Sequence, residues 1–480
     1  MSVEITSSRY APELVEGGFA IEVADAPLLH RGLNLADIAH VLVLREQEVI
    51  PEQAAERLFG VLLDAERTPV EEFGYDPVYG ESYNCRERRF VGLIGKDAGW
   101  LHAGRTRREA VRVALRLRLR GDLFQLIDAA VDFCSAAAEL AGSHAETYLP
   151  DQTYLQHSQP STFGHYLLSF VYAVQREIDR LEADLDWVNR SPAGSGCVNG
   201  SRLRYDRSRV AELLGFDEVI EHTRDAMWQT DGLLTAVSTA TGLVTTLSKL
   251  AEDLEIWSSS VMMPQKRNPY ALSMVRGEAG VLIGKLTGLF AVCKTPSARS
   301  DNLIFAYGEV PRSLMLAAKA TRLMAGVVAG LRINGPAMYR ALESGFCQAT
   351  DLAEYVMQEC GVDYRTAYDV VGVTVRRAAA QGLRGIDITG DLVDAAAVET
   401  GAGPLGLTGR DLSLVLDPAA IVSTRVTRGG AAPDVVRAMA QDCLTSARAA
   451  QGRVDQRRRG VLQAEDRLLE AARSGAGGIS

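Results

Sequence analysis

Aromatic side chains are scarce in this chain of 480 residues, at 6%. The apolar remainder is dominated by Ala, Leu and Val, a mixture that favours helix over sheet. The seven cysteines (Cys85, Cys134, Cys197, Cys293, Cys347, Cys360 and Cys443) include no C-x-x-C pair. That argues against a structural zinc site and a disulfide framework, and the odd count fits a reducing cytoplasm. Positive charge is not in excess: 51 Lys and Arg against 61 Asp and Glu leave −10, so nothing points to a nucleic-acid partner. No run of eighteen apolar residues occurs, so no membrane span is expected. The N-terminus, MSVEITSSRYAPELVEGG, is acidic and lacks an apolar core, so no signal peptide is expected. Internal repeats and low-complexity blocks are missing too. Proline is absent between Pro77 and Pro150 and between Pro192 and Pro264, and long proline-free spans imply long helices.

At 47% hydrophobic, the chain can bury a large core. In 163–188 the set Leu167, Val171, Val174, Ile178, Leu181 and Leu185 steps by four and three. In 222–257 the set Leu233, Val237, Ala240, Val244, Leu247, Leu250 and Leu254 does the same. Both are seams of the kind that pack helix on helix. Arg108–Leu140, Leu272–Val292 and Val310–Leu331 are similar. Shorter helices are expected over Asn34–Leu44, Pro51–Asp64 and Glu87–Ile94, and again after Gly345. The fold class is therefore all-α. The expected domains are 1–107, a central long-helix bundle over 108–345, and a small helical domain over 346–480. The Ala/Val/Leu seams suit packing between subunits. The basic runs Arg116–Arg120 and Arg457–Arg459 read as solvated helix faces.

One stretch between two long helices is crowded with polar chemistry: Trp257–Pro269, WSSSVMMPQKRNP. Serines and a Pro-bounded turn read as loop. Lys266 offers a compact charge for a carboxylate and Asn268 an amide donor. A serine here acts as a base only if donors and a cation stabilise its alkoxide and water is excluded. The other reading is an ordinary helix connection with exposed cations. A second stretch, Gly104-Arg105-Thr106-Arg107-Arg108 after Leu101-His102, sets clustered cations at a helix start, which suits an anion. A third is Gln152–His165, QTYLQHSQPSTFGH.

These stretches resemble motifs of the fumarase/aspartase/argininosuccinate lyase superfamily. Met263, Pro264, Lys266, Asn268 and Pro269 match its signature GSSxMPxKxNP, with Ser260 on the first Ser. Ser259 replaces the Gly and Val261 the second Ser. Residues 101–108 resemble LHTGRSRND, and Gln152–His165 resembles THLQxxQPxTFGH at Thr153, Gln156, Gln159, Pro160, Phe163, Gly164 and His165. The resemblance spans roughly residues 80–440. It implies an all-helical, three-domain fold whose long helices form the twenty-helix core of a homotetramer, with active sites shared between subunits. It also implies a cofactor-free lyase that cleaves a C–N bond in a small succinyl substrate, an N-substituted aspartate, and releases fumarate. Ser260 would take the Cβ proton. Thr106, Arg107, Thr153, Lys266 and Asn268 would hold the carboxylates, with Arg108, Gln159 and Arg299 as further binding candidates.

The departures fall on the second proton. Tyr154 stands where the family has a His, and Ser273 where it has that His's Glu partner. Tyr83 stands where a second active-site His is found. The acid that assists the leaving nitrogen would then be Tyr154, a weak acid with pKa ~10, or His157. A packed histidine is the other reading of His157. In Pro296–Glu309 the family's substrate-tail residues are replaced by Arg299, Ile304 and Tyr307, and Arg108 replaces an Asn. Both arginines would suit a further anionic group. The segment before Ser260 is also shorter than the family's mobile one. These changes leave open a related enzyme with another leaving group (a nitro- or hydrazinosuccinate lyase, or a carboxymuconate-type cycloisomerase) and a catalytically silent structural paralogue.

Overall fold

The computed structural model describes residues 10–258, 268–299 and 301–477. Among the described residues the chain is mainly helical, with two small sheets. Helices α1 (Ala26–Glu46), α2 (Glu52–Arg67) and α3 (Ser82–Ile94) precede the first long helix, α4 (Arg107–Ser143). Strands β1 (Tyr148–Thr153) and β2 (Gln156–Thr162) form an antiparallel hairpin that leads into α5 (Phe163–Val188). A short parallel pair follows, β3 (Arg190–Ser191) with β4 (Glu218–Val219). Then come α6 (Thr223–Trp228), α7 (Asp231–Trp257), α8 (Tyr270–Cys293) and α9 (Ala306–Ala329). The smaller helices α10 (Ala349–Cys360), α11 (Tyr364–Ala380) and α12 (Gly390–Glu399) precede α13 (Pro433–Gly475).

The chain divides into two compact units. The first holds residues 1–130, 176–322 and 450–480. Its core packs Ile38, Val41 and Leu44 of α1 with Leu58, Phe59 and Leu62 of α2, Phe90 of α3 and Leu468 of α13. The second holds residues 131–175 and 323–449. There Leu352 and Val356 of α10 meet Val370 and Val371 of α11 and Val393 and Ala396 of α12.

The seams read from the sequence are the buried faces of the long helices. Leu167, Val171, Val174, Ile178, Leu181 and Leu185 are all buried, as are Leu233, Val237, Ala240, Val244, Leu247, Leu250 and Leu254. By length and composition α7 could cross a bilayer. Its apolar residues go to the seam instead. Helix α8 differs: Tyr270, Val281, Ile283 and Phe290 are 72%, 50%, 51% and 52% exposed.

Two expectations fail. The β1–β2 hairpin was not foreseen, because its strands are polar and pair Pro150 with Pro160. The basic run on α4 is not a solvated face: Arg116 and Arg120 are 6% and 2% exposed. Arg116 donates to the Trp187 carbonyl at 2.8 Å, and Arg120 to the Leu214 carbonyl at 2.9 Å. Carbonyls at helix C-terminal ends, left without helical partners, thus accept the guanidinium protons.

Candidate active site

Thr106 is the residue before the first turn of α4, and its Oγ1 accepts the Glu109 N–H at 3.3 Å. This is a helix N-cap, which satisfies an amide that has no partner within the helix. The same hydroxyl lies 3.4 Å from the Gly196 carbonyl, to which it donates. Glu109 completes the join. Its Oε1 accepts the Gly194 N–H at 2.7 Å and its Oε2 the Gly196 N–H at 2.6 Å. The glycines are required there. Gly196 has φ +62, and a Cβ on it would meet the Gly200 carbonyl oxygen at 2.5 Å. Burial raises the Glu109 carboxyl to about 7, against the pull of the two amides and the Arg105 and Arg207 cations.

Behind this turn lies a buried ionic cluster. Asp37 of α1 accepts from Arg86 at 2.7 Å, from Arg105 at 2.6 Å and from the Tyr83 hydroxyl at 2.8 Å. Arg86 also donates to Asn34 Oδ1 at 2.7 Å. Burial pushes the Asp37 carboxyl up, but the Arg105 and Arg86 cations outweigh it and hold the group below its ordinary range. Tyr83, at the position of a family histidine, is fully enclosed here.

The cations alternate in direction along the turn. Arg105 points inward to Asp37, while Arg107 is exposed and faces Glu81 at 3.6 Å. Arg108 pairs with Glu22 at 2.9 Å and Glu81 at 3.0 Å. The further anion expected for Arg108 is therefore met within the chain by two carboxylates.

The hairpin carries the next group. Thr153 pairs with Gln156 across a two-residue turn whose central residues, Tyr154 and Leu155, have φ 54 and 59. Such turns ordinarily use Asn-Gly, because side chains are strained at positive φ. Tyr154 is 99% exposed and Leu155 62%. His157 pairs with Gln152 and is exposed, as is Gln159. A Cβ on Gly345 would lie 3.5 Å from His157 Nδ1, so the imidazole rests against that glycine. His165, by contrast, is committed to the Gly429 carbonyl at 3.0 Å.

The third group flanks α7 and α8. Ser260 and Lys266 lie outside the described residues. Asn268 is exposed, and its carbonyl accepts the Tyr270 N–H at 2.8 Å as α8 begins. Ser273, at the position of the family's Glu, donates to Glu255 of α7 at 3.0 Å. Arg299 is exposed. The candidates thus fall at three places: the first turn of α4, the hairpin tip and the surroundings of the α7–α8 connection. Among the described residues no group of three or more His, Cys, Asp or Glu is placed to hold a metal ion. Glu109 was missed as a positioning residue, although Thr106-x-x-Glu109 has the spacing of a capping box.

A family profile described as Lyase matches residues 75–284, and one described as Argininosuccinate lyase C-terminal matches residues 346–423. The argininosuccinate lyase of Methanococcoides burtonii is 32% identical over 417 residues, covering 83% of this chain and 84% of that protein. That of Halobacterium salinarum is 34% identical over 431 residues, covering 85% of each. The chain belongs to the argininosuccinate lyase-like branch of the fumarase/aspartase superfamily. This argininosuccinate lyase-like protein is a carbon–nitrogen lyase. Its fold is also that of solved lyases. EDDS lyase in complex with formate superposes with a TM-score of 0.86 at 24% identity, covering 98% of this chain and 97% of that one. The 3-carboxy-cis,cis-muconate lactonizing enzyme of Pseudomonas putida gives 0.70 at 20%, covering 91% and 99%.

Proposed function

We propose that this lyase grips an N-substituted aspartate by its two carboxylates and eliminates the amine. Ser260 removes the Cβ proton, the Cα–N bond breaks, and Tyr154 or His157 delivers a proton to the departing nitrogen. Fumarate and an amine leave. Arg107 and Lys266 neutralise the carboxylates and the charge that builds on one of them in the carbanionic intermediate, Thr106, Thr153 and Asn268 hydrogen-bond to them, and Gln159 and Arg299 are further binding residues. The reading is carried by membership of the lyase family across most of the chain.

The sites are shared between subunits of a homotetramer, and the functional partition is 1–107, 108–345 and 346–480. Tyr154 supports sharing. A tyrosine almost wholly exposed on a strained turn suits a group delivered to another copy's site. Helix α8 supports assembly, because Val281, Ile283 and Phe290 leave apolar surface on it about half exposed among the described residues. The working compartment is the cytoplasm, in keeping with seven cysteines of which none forms a disulfide.

The test is fumarate release, followed by absorbance. Ser260→Ala should lower turnover by ~100-fold or more, and wild-type-like turnover removes Ser260 from its role. Replacement of the family's tail-binding residues by Arg299, Ile304 and Tyr307 favours a leaving amine other than that of argininosuccinate. A panel of N-substituted aspartates decides between them.

A further inference from the structure

The arginines of the Thr106 turn are answered inside the chain. Arg105 is held by Asp37, Arg107 faces Glu81, and Arg108 lies between Glu22 and Glu81. A carboxylate thus stands against each of the three, and the turn by itself projects little net charge. The whole chain carries −10. An approaching anion is repelled at long range unless something local reverses the sign.

The stretch 201–209, SRLRYDRSR, does so. It holds four arginines against one acid. Arg207 donates to the carbonyls of Ala193 and Ile220, at 2.8 and 2.9 Å, and Arg209 pairs with Glu46 and Glu212. Asp206 accepts the Arg209 N–H at 2.9 Å and caps the short helix that follows. Arg202 and Arg204 are left. Both are exposed, and neither side chain has a hydrogen-bond or ion-pair partner among the described residues.

Their backbone is fixed and lies against the turn. A Cβ on Gly104 would meet Ser201 Oγ at 3.0 Å and Leu203 Cδ1 at 3.2 Å, at φ +71, so a side chain there would be both strained and crowded. Arg202 lies between these two contacts in the chain, and Arg204 follows the second. Ser201 Oγ accepts the Leu203 N–H at 3.1 Å, and the Tyr205 hydroxyl is hydrogen-bonded to His40 Nδ1 at 2.8 Å. Gly104 is two residues before Thr106, at most ~8 Å away at 3.8 Å per residue. That is about one Debye length at physiological salt.

We propose that Arg202 and Arg204 form an electrostatic collar that draws anionic ligands to the Thr106 turn without touching them. This rests on the lyase reading above and adds a rule of selection: a ligand is favoured by its net charge, wherever on the molecule that charge sits. Substrate and product differ in this respect. An N-alkylaspartate with its nitrogen protonated carries a single net negative charge, whereas fumarate carries two. The attraction is proportional to ligand charge, so a factor felt by the substrate is squared for the product.

The test is the double variant R202Q/R204Q, assayed by fumarate release at one pH. Two charges ~10 Å from the bound anion should be worth about 3-fold in kcat/KM for an N-alkylaspartate at about 10 mM ionic strength, and under ~2-fold at about 150 mM. The loss should fall on KM, with kcat unchanged. The inhibition constant of fumarate should rise about 10-fold at the lower ionic strength, the square of the substrate effect. R202E/R204E should lower kcat/KM by about 10-fold under the same conditions. The single variants, each expected at about 1.7-fold, decide the matter if circular dichroism shows the double variant misfolded. An unchanged kcat/KM at low salt overturns the collar. So does a loss that persists undiminished at the higher salt, which would reveal direct contact, or one confined to kcat. In each case fumarate release by the wild type still upholds the lyase. Absence of fumarate from every N-substituted aspartate sinks the lyase reading, and the collar with it.

Discussion

Replacing Glu109 by Gln tests the physical account of the Thr106 turn with a sign that follows from burial. The carboxyl is raised from 4.5 to about 7, with desolvation the leading cause. A folded-state value above the unfolded one means that the native state holds the proton more tightly. The resulting stabilisation is fully present below the unfolded value and is lost as pH rises through the folded one. The window therefore runs from about pH 4.5 to pH 7. A shift of ~2.5 units is worth ~3 kcal/mol in all, and ~2 kcal/mol of that falls between pH 8 and pH 5.5. E109Q has no proton to take up. Denaturant unfolding of wild type and E109Q at one protein concentration, at both pH values, isolates the term, because other buried acids cancel in the difference. Wild type should gain ~2 kcal/mol over E109Q on going from pH 8 to pH 5.5. A flat difference, or one of opposite slope, would show that the two amides and the nearby cations outweigh burial, and the account of this group would be wrong. In activity, E109Q sets an NH₂ against one of the amides of Gly194 and Gly196, so the loop should loosen and KM should rise.

Asp37→Asn leaves the Arg86 and Arg105 guanidinium groups buried without their counter-charge, and should cost about 3–5 kcal/mol in denaturant unfolding. An unchanged midpoint would mean the cluster is hydrated. Replacing Tyr154-Leu155 with Asn-Gly puts residues suited to positive φ at both turn positions. It should raise stability by about 1–2 kcal/mol in thermal melts while lowering fumarate release; a fall in Tm would show that the turn carries no strain. Glutamates at Val281 and Ile283, each about half exposed, should cost a lone subunit under ~0.5 kcal/mol but break assembly in analytical ultracentrifugation. An intact oligomer would place the interface elsewhere.

Much of the fold was legible because proline gaps and apolar seams are local signals. The seam residues of α5 and α7 are all buried, and α4 and α8 begin and end within three residues of the bounds expected. The failures share a cause: partners distant in sequence. Helix α1 begins at Ala26, eight residues before its expected start. Its inward face interleaves His30, Asn34, Asp37 and His40 with leucines, and a polar stripe looks like solvent when only hydrophobicity is read. Those polar groups are buried because Arg86, Arg105, Tyr75 and Tyr205 meet them from elsewhere in the chain. The arginines of α4 were misread in the same way, since a carbonyl at Trp187 or Leu214 leaves no mark near Arg116 or Arg120. The hairpin was missed because Tyr-Leu carries none of the Asn and Gly that announce a two-residue turn.

The candidate binding turn shows why such buried charge is retained. Asp37, Arg105 and Glu109 each give up hydration, and hydrophobic residues of the same volume would have been no less stabilising. What the charges add is direction. Arg105 is fastened to Asp37 and Tyr83 on one side of the turn, and Glu109 to two glycine amides on the other. Between them Thr106 has its hydroxyl set by the Glu109 amide and the Gly196 carbonyl, while Arg107 is left exposed. A carboxylate arriving at this turn would meet the exposed Arg107 guanidinium on backbone that was ordered at folding rather than at binding. On this argument, loosening either fastening should weaken substrate capture more than it slows the chemical step.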